Sequence, residues 1–159
     1  MGVLVTTGRN PCGEARELCR SLASVLPLAA CENRGNKTVE GVVSRARLSG
    51  KKRVAVISCG NGKVSGMSFA KVTGSSWEWL GAPVGIRGVR FNGAPKAAAC
   101  CAEFTGTRAG EWRALLESGD RLAECGCPGE GAGLAVVCGE KSVSFVLSGK
   151  KVGPELALE

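Results

Sequence analysis

The chain of 159 residues contains no histidine and no tyrosine, and Asp120 is its only aspartate. Histidine is the side chain whose charge changes nearest neutral pH, and much acid–base chemistry depends on it or on paired carboxylates. A cysteine nucleophile here would lack its histidine base. Residues 1–80 hold only five glutamates, and Glu14, Glu17 and Glu40 fall on expected helix surfaces. The inventory for catalysis is thin, so no catalytic residue and no cofactor is assigned, and the residues point to a binder. Aromatics make up 4% of the chain and none precedes Phe69, which leaves the first 68 residues without a platform for stacked bases. No apolar run approaches the roughly 20 residues of a membrane-spanning helix. Met1–Thr7 is followed too soon by Arg9 and Glu14 to read as a secretory leader. The expectation is a globular, cytoplasmic protein with no membrane partner.

Nine cysteines are present, but the number is odd and no C-x-x-C pair occurs. Without histidine, the zinc spacing pattern is missing. A metal could be considered only around Cys125-Gly126-Cys127 with Cys138 or Cys100-Cys101. Cys12, Cys19, Cys31, Cys59 and Cys138 lie in or beside apolar periodic segments, where cysteine acts as a small hydrophobe. They are expected as buried or incidental thiols, with no metal bound.

What the chain does have is positive charge, all of it on one side. Residues 1–80 carry twelve Lys and Arg against five Glu, and residues 81–159 carry nine against nine acids, so the net +7 belongs to the first half. A one-sided excess implies a basic face, whose usual partner is a polyphosphate, most often nucleic acid.

Hydrophobic spacing orders the first half as β-α-β-α-β-β. Val3–Thr6 is extended and runs into Thr6-Thr7-Gly8-Arg9-Asn10-Pro11, where Asn10 is expected to cap a helix and Pro11 to occupy its first position. Ala15, Leu18, Cys19, Leu22, Val25 and Leu26 have helical spacing, and Pro27 stops the run. Leu28–Glu32 is extended, Asn33–Lys37 is a polar loop, and Thr38 caps a second helix. Val54–Cys59 reads as a buried strand, Asn61-Gly62 as a hairpin turn, and Val64–Val72 as its partner.

The second half is expected to repeat this plan. Trp77–Leu80 and Val84–Phe91 are extended, Pro95–Glu103 reads as a short Ala/Cys-rich helix, Phe104-Thr105 as a brief strand, and Glu111–Glu124 as containing a helix. A loop at Gly129–Gly133 precedes a hairpin of Leu134–Cys138 and Val143–Leu147. Val54-Ala55-Val56-Ile57 and Leu134-Ala135-Val136-Val137 each precede a Cys, a Gly turn and a second strand, about 80 residues apart. The resulting expectation is one α/β domain over 1–159 made by internal duplication, with pseudo-repeats near 1–74 and 75–150 and a loose tail over 151–159.

Two segments stand out as sites. Thr6–Pro11 combines two hydroxyls, a glycine, an arginine and the backbone N–H groups of a helix start, a combination suited to phosphate. It is neither a Walker loop nor G-x-G-x-x-G, so it implies no nucleotide cofactor. Asn33–Lys37 holds side chains that position a nucleic-acid backbone without reading sequence. Both follow strands and precede helices, so in a parallel sheet they share an edge, where ligands usually bind. The RNA-binding set is therefore Thr6, Thr7, Arg9, Asn33, Arg34 and Lys37, with Arg16 and Arg20 extending the face along the first helix. Arg9, Arg34 and Lys37 are the expected phosphate anchors. Lys51-Lys52-Arg53 reads as a solvated charge run. Trp77 and Trp79 point to one face if extended, and packing against a helix is favoured over base stacking.

These same residues carry a family resemblance. Leu4-Val5-Thr6-Thr7-Gly8-Arg9-Asn10-Pro11, a helix, then Glu32-Asn33-Arg34-Gly35-Asn36-Lys37-Thr38 resembles the Brix-domain family, and within it the short archaeal members assigned to ribosome biogenesis. The similarity continues through Val54–Ser58 and Gly60-Asn61, is good over residues 3–70 and is faint beyond. Gly8 stands where serine is common, and Gly62 where proline often occurs; the proline-and-aromatic signature of larger eukaryotic members is missing. The resemblance implies a duplicated α/β fold similar to the anticodon-binding domain of class II aminoacyl-tRNA synthetases. It also implies RNA binding in ribosomal RNA processing and subunit assembly, with ribosomal RNA or its precursor and other assembly proteins as partners. Within the matched positions, Pro11 and Gly35 would be structural. Two rival readings stay open: a protein-interaction module that docks its second half in a larger particle, and a phosphate-binding enzyme using Thr6–Pro11.

Overall fold

The computed structural model describes residues 2–97, 99–116 and 133–159. In chain order the elements are β1 (Val3–Thr7), α1 (Gly13–Val25), β2 (Ala30–Cys31), α2 (Val39–Leu48), β3 (Arg53–Gly60), β4 (Lys63–Val72), β5 (Trp77–Trp79), β6 (Val84–Phe91), β7 (Cys101–Thr105), α3 (Ala109–Leu116), β8 (Gly133–Cys138), β9 (Ser142–Leu147) and β10 (Lys150–Leu158). Among the described residues this is a mixed α/β fold with three helices and one ten-stranded sheet, ordered β2-β1-β3-β4-β6-β10-β9-β8-β7, with β5 attached to β4.

The first half follows from its apolar pattern. β1 is buried throughout, so its alternate residues face two different cores. Val3 and Val5 meet the buried stripe of α1, which comprises Ala15, Leu18, Cys19, Leu22 and Val25. Leu4 meets Val42, Val43 and Ala46 of α2 on the other face. β1 pairs in parallel with both β2 and β3, and β3 turns back into β4 through Asn61 and Gly62, at φ 52° and 77°. Two positive φ values in a two-residue loop match the right-handed twist of a hairpin and favour Asn-Gly.

β6 joins the two halves. Its start pairs with β4 (Met67 opposite Val84), and most of its length pairs antiparallel with β10. Leu156 and Leu158 of β10 are fully buried, and α1 packs across this strand. The tail expected over 151–159 is therefore a central strand. Its Leu156/Leu158 alternation was masked by Gly153-Pro154, which sit where β10 slips register against β9 and so are tolerated.

Three further expectations are corrected. Pro95–Glu103 forms no helix in its described residues: Cys101–Thr105 is β7, a full strand parallel to β8. α1 starts at Gly13 with Cys12 as its N-cap, and no side chain caps it, so Asn10 and Pro11 lie in the preceding loop. Cys19 and Cys31 are joined by a disulfide that ties α1 to β2. Linear spacing could not reveal that pair, because only the packing of α1 over the sheet brings the two residues together. Thr38, by contrast, caps α2 as expected, its hydroxyl accepting from Gly41 N–H at 3.1 Å. The rest of the helix expected over Glu111–Glu124, Asp120, Cys125-Gly126-Cys127 and the loop before Gly133 lie outside the described residues.

After β7 the chain turns through Gly106 at φ 99°, where a Cβ would collide with Cys138 O. Arg108 N–H then donates to Cys138 O at 3.1 Å, and its guanidinium grips Glu111 with two bonds of 2.7 Å.

Two predictions follow from this packing. Gly153 sits at φ 63°, and a Cβ there would strike Val25 of α1. Gly153→Ala is expected to destabilise the fold by about 1–3 kcal/mol, measured by urea unfolding, because both backbone strain and overpacking act at one point. Burial pushes the Cys138 thiol up to about 11, with Arg108 opposing and Glu111 adding. A thiol held above its unfolded value, about 8.5, binds its proton more tightly in the native state. Its contribution is then complete below that value and is lost as pH climbs toward 11. The stability gap between the native chain and Cys138→Ala should narrow between pH 8 and pH 10.5; a constant gap would contradict this assignment.

Candidate nucleic-acid interface

The strands β2, β1 and β3 are parallel, so the loops that follow them open on one edge of the sheet. From β1 the chain leaves to α1 on one face, and from β2 it leaves to α2 on the other. Adjacent parallel strands whose helices depart to opposite faces leave a crevice between their carboxyl ends. The loops Gly8–Cys12 and Glu32–Thr38 are its two lips, as their shared edge required.

Arg34 spans this crevice. It is 6% exposed, its Nε donates to Lys37 O at 2.6 Å, and its Nη1 reaches Thr7 O at 3.5 Å, at the end of β1 where the opposite lip begins. Burial, then the nearby Arg9, push its guanidinium below the usual arginine range, while Glu40 pulls it back. Arginine stays charged under all ordinary conditions. Two guanidinium groups therefore stand close together at this edge, and like charges gathered in a concave site focus the potential toward an anion.

The other site residues divide by exposure. Thr6 and Thr7 are buried, and the Thr6 hydroxyl donates to Glu32 O at 2.8 Å. Their hydroxyls are thus not offered to solvent, because β1 is covered on both faces; Thr6 serves to tie β1 to the loop after β2. Asn33 is exposed, and its Oδ1 accepts from Gly35 N–H at 3.3 Å, a local turn that shapes the loop. Lys37 is half-buried, with Nζ on Asn33 O at 3.1 Å and 3.4 Å from Glu32. Arg45 also reaches Glu32, at 3.4 Å. Arg9, Arg16 and Arg20 are exposed. Arg16 sits one turn into α1, and Arg20 a further turn from the edge, which draws the basic face along the helix.

The run Lys51-Lys52-Arg53 is not simply solvated. Arg53 is buried, and its Nε donates to Ala114 O of α3 at 3.3 Å. Lys51 Nζ donates to Leu28 O, and Lys52 stays exposed. Arg47, likewise, holds the turn before β5 through Thr73 O at 2.8 Å and Ser76 O at 3.3 Å. Spacing could not separate these cations from the free ones, since their carbonyl partners lie 23 to 61 residues away.

Lys63 was missed by the sequence reading. It is exposed beside the Asn61-Gly62 turn, and because β3 is parallel to β1 this turn belongs to the same edge. The parallel placement of Val54–Cys59 was the available signal. Trp77 packs against the α2-side core as favoured, while Trp79 is 44% exposed and meets Trp77 edge to face at 5.3 Å. No helix among the described residues is long and apolar enough to cross a membrane.

No protein-family model matches the chain. Over 79 residues, half of its length, it is 30% identical to a probable Brix domain-containing ribosomal biogenesis protein of Pyrococcus horikoshii and 29% identical to one of Thermococcus kodakarensis. The matched segment spans 35% and 38% of those relatives, little more than a third of their length. Its fold is similar over 98% of the chain to the crystal structure of a probable ribosomal biogenesis protein from Aeropyrum pernix, of which 94% is covered (TM-score 0.81, 22% identity). It is also similar over 98% of the chain to Mil, an archaeal Imp4-like protein, of which 96% is covered (TM-score 0.66, 18% identity). The resemblance to archaeal Brix-domain ribosome biogenesis proteins, read first from the two loops, is borne out by relatives in sequence and in fold.

Arg34→Ala is expected to cost about 1–3 kcal/mol of stability, the range for losing hydrogen bonds to a charged group. Arg34→Lys should recover little of it, because an ammonium cannot serve both lips as a planar fork does. Thermal unfolding of the two variants beside the native chain checks both statements.

Proposed function

We propose that the chain acts in ribosome biogenesis as a non-catalytic RNA-binding protein, gripping the backbone of ribosomal RNA or its precursor with the edge built by the loops after β1, β2 and β3. The observation that carries this reading is the exposed cluster Arg9, Arg16 and Arg20 around the crevice bridged by Arg34, all within the half that holds the net charge. Arg9, Lys37 and Lys63 serve as phosphate contacts, Arg16 and Arg20 extend them, and Thr6, Thr7, Asn33 and Arg34 set the loop geometry. Buried hydroxyls and the absence of any aromatic before Phe69 in the sequence favour contact to backbone and shape over splayed bases.

The sheet order supports a duplicated architecture. β1-β3-β4-β6 is met by β7-β8-β9-β10 read inward from the other edge, each set opening with a parallel pair and ending at the central seam. On this reading the second half is the scaffold and the surface for other assembly proteins. Its matching turn carries Arg108, which Glu111 holds through two bonds of 2.7 Å, whereas Lys37 makes a single looser contact of 3.4 Å with Glu32.

Binding to a ribosomal RNA fragment should weaken steeply with salt, the logarithm of affinity falling by roughly 0.7–0.9 per phosphate contact for each tenfold rise in salt. Arg9→Ala with Arg16→Ala should lower affinity and flatten that slope by about two contacts' worth. Fluorescence titration across a salt series reads both. Salt-insensitive binding, or undiminished binding by the double variant, would refute the assignment.

A further inference from the structure

Three contacts fasten the start of α1 to the β3–β4 hairpin. Val64 N–H donates to Glu14 Oε2 at 2.7 Å, Cys12 N–H donates to Cys59 Sγ at 3.2 Å, and the two sulfurs, Cys12 Sγ and Cys59 Sγ, lie 2.7 Å apart. That separation is well inside the roughly 3.5–4.0 Å of ordinary non-bonded packing. It is about 0.7 Å longer than a disulfide bond, a gap that a small side-chain rotation closes. Both residues are half-buried, so a small molecule can reach them, and they are 47 positions apart in sequence. Cys138, by contrast, is fully buried.

We propose that Cys12 and Cys59 are a thiol–disulfide exchange site, oxidised to a disulfide by a low-molecular-weight disulfide and reopened by the corresponding thiol. Burial, then the side-chain hydrogen bond toward Cys12, raise the Cys59 thiol, while the bond from Cys12 N–H lowers it; the net rise disfavours Cys59 as the first thiolate, and the attack is assigned to Cys12. The Cys12 thiolate attacks the small disulfide, forms a mixed disulfide and expels one thiolate. Cys59 then attacks the Cys12 sulfur, forms the protein S–S bond and expels the second thiolate. Two protons pass from the cysteines to the two released thiols; the protein pair is oxidised by two electrons and the small disulfide is reduced by two. The new bond would lock the loop after β1 to the hairpin beside Lys63, fixing two parts of the same edge. The site does not depend on the RNA reading, since exchange proceeds with or without a nucleic acid.

The test uses the full chain, first reduced, then exposed to oxidised glutathione, capped with N-ethylmaleimide and mapped by mass spectrometry. The expected result is a linked Cys12–Cys59 peptide pair and loss of the maleimide label from both positions. In Cys59→Ser the exchange should stall, leaving Cys12 with a stable glutathione adduct. Full maleimide labelling of both residues in the native chain would overturn the proposal. So would separate glutathione adducts on the two cysteines with no linked pair.

Discussion

The pairing of β10 with β6 is the constraint on which the rest of the molecule depends. β10 is hydrogen-bonded to β6 on one side and β9 on the other, and β6 in turn reaches β4. Removing this pairing would leave two separate half-sheets with their inner edges open. α1 packs over the same seam, with Val25 seated on Gly153. The helix that leads away from the basic loop is thus held in place by a strand almost 130 residues further along. Leu156 and Leu158 are fully buried there, and each such leucine contributes roughly 1.5–3 kcal/mol through lost apolar exposure. Local geometry at the interface therefore rests on long-range pairing at the other end of the chain.

How far the sequence disclosed this depends on the kind of signal. Elements defined by their own periodicity were legible: the 15-18-19-22-25 stripe of α1, the Asn61-Gly62 hairpin, the Thr38 cap and the strand at Val84–Phe91. Elements whose identity depends on neighbours were not. Lys150–Leu158 has glycine and proline at its middle, and only a bulge opposite β9 makes that acceptable. Cys101–Glu103, the end of the Ala/Cys-rich run expected to be helical, meets a parallel partner in β8, and the ladder prevails over propensity. The two candidate loops were placed correctly on one edge because parallel topology makes that placement general. Exposure within them was not readable, since whether Thr6 and Arg34 face water depends on the two faces that β1 covers and on the width of the crevice.

The basic residues divide into two groups that composition cannot distinguish. Arg34, Arg47 and Arg53 spend their guanidinium donors on backbone carbonyls, at Lys37 and Thr7, at Thr73 and Ser76, and at Ala114 and Lys52. The planar fork of arginine suits this work, because it can satisfy carbonyls from two segments at once. Their charge still adds to the field of the first half, but part of each donor set is already engaged. Arg9, Arg16, Arg20 and Lys63 are exposed at the surface. On the proposed RNA-binding reading, the net charge thus overstates the number of contacts an RNA would gain, while fairly representing the potential that would attract it.

In open parallel sheets the crevice at the point where the helices change faces is commonly where a small ligand enters. Here that crevice is crossed by Arg34, which is buried and bonded to both lips, with Thr6 fastened across the same gap. A nucleotide or other compact phosphate entering there would compete with these internal bonds for the Arg34 guanidinium. An extended phosphodiester backbone needs no such entry. It can run along the lips, meeting Arg9 on one side and Lys37 and Lys63 on the others, with Arg34 contributing field from beneath. The crossed crevice therefore fits the proposed reading, in which a polymer is held from outside, better than entry of a compact phosphate. The same closure explains why hydroxyls that looked suited to a phosphate cradle serve better as the ties that keep its rim rigid.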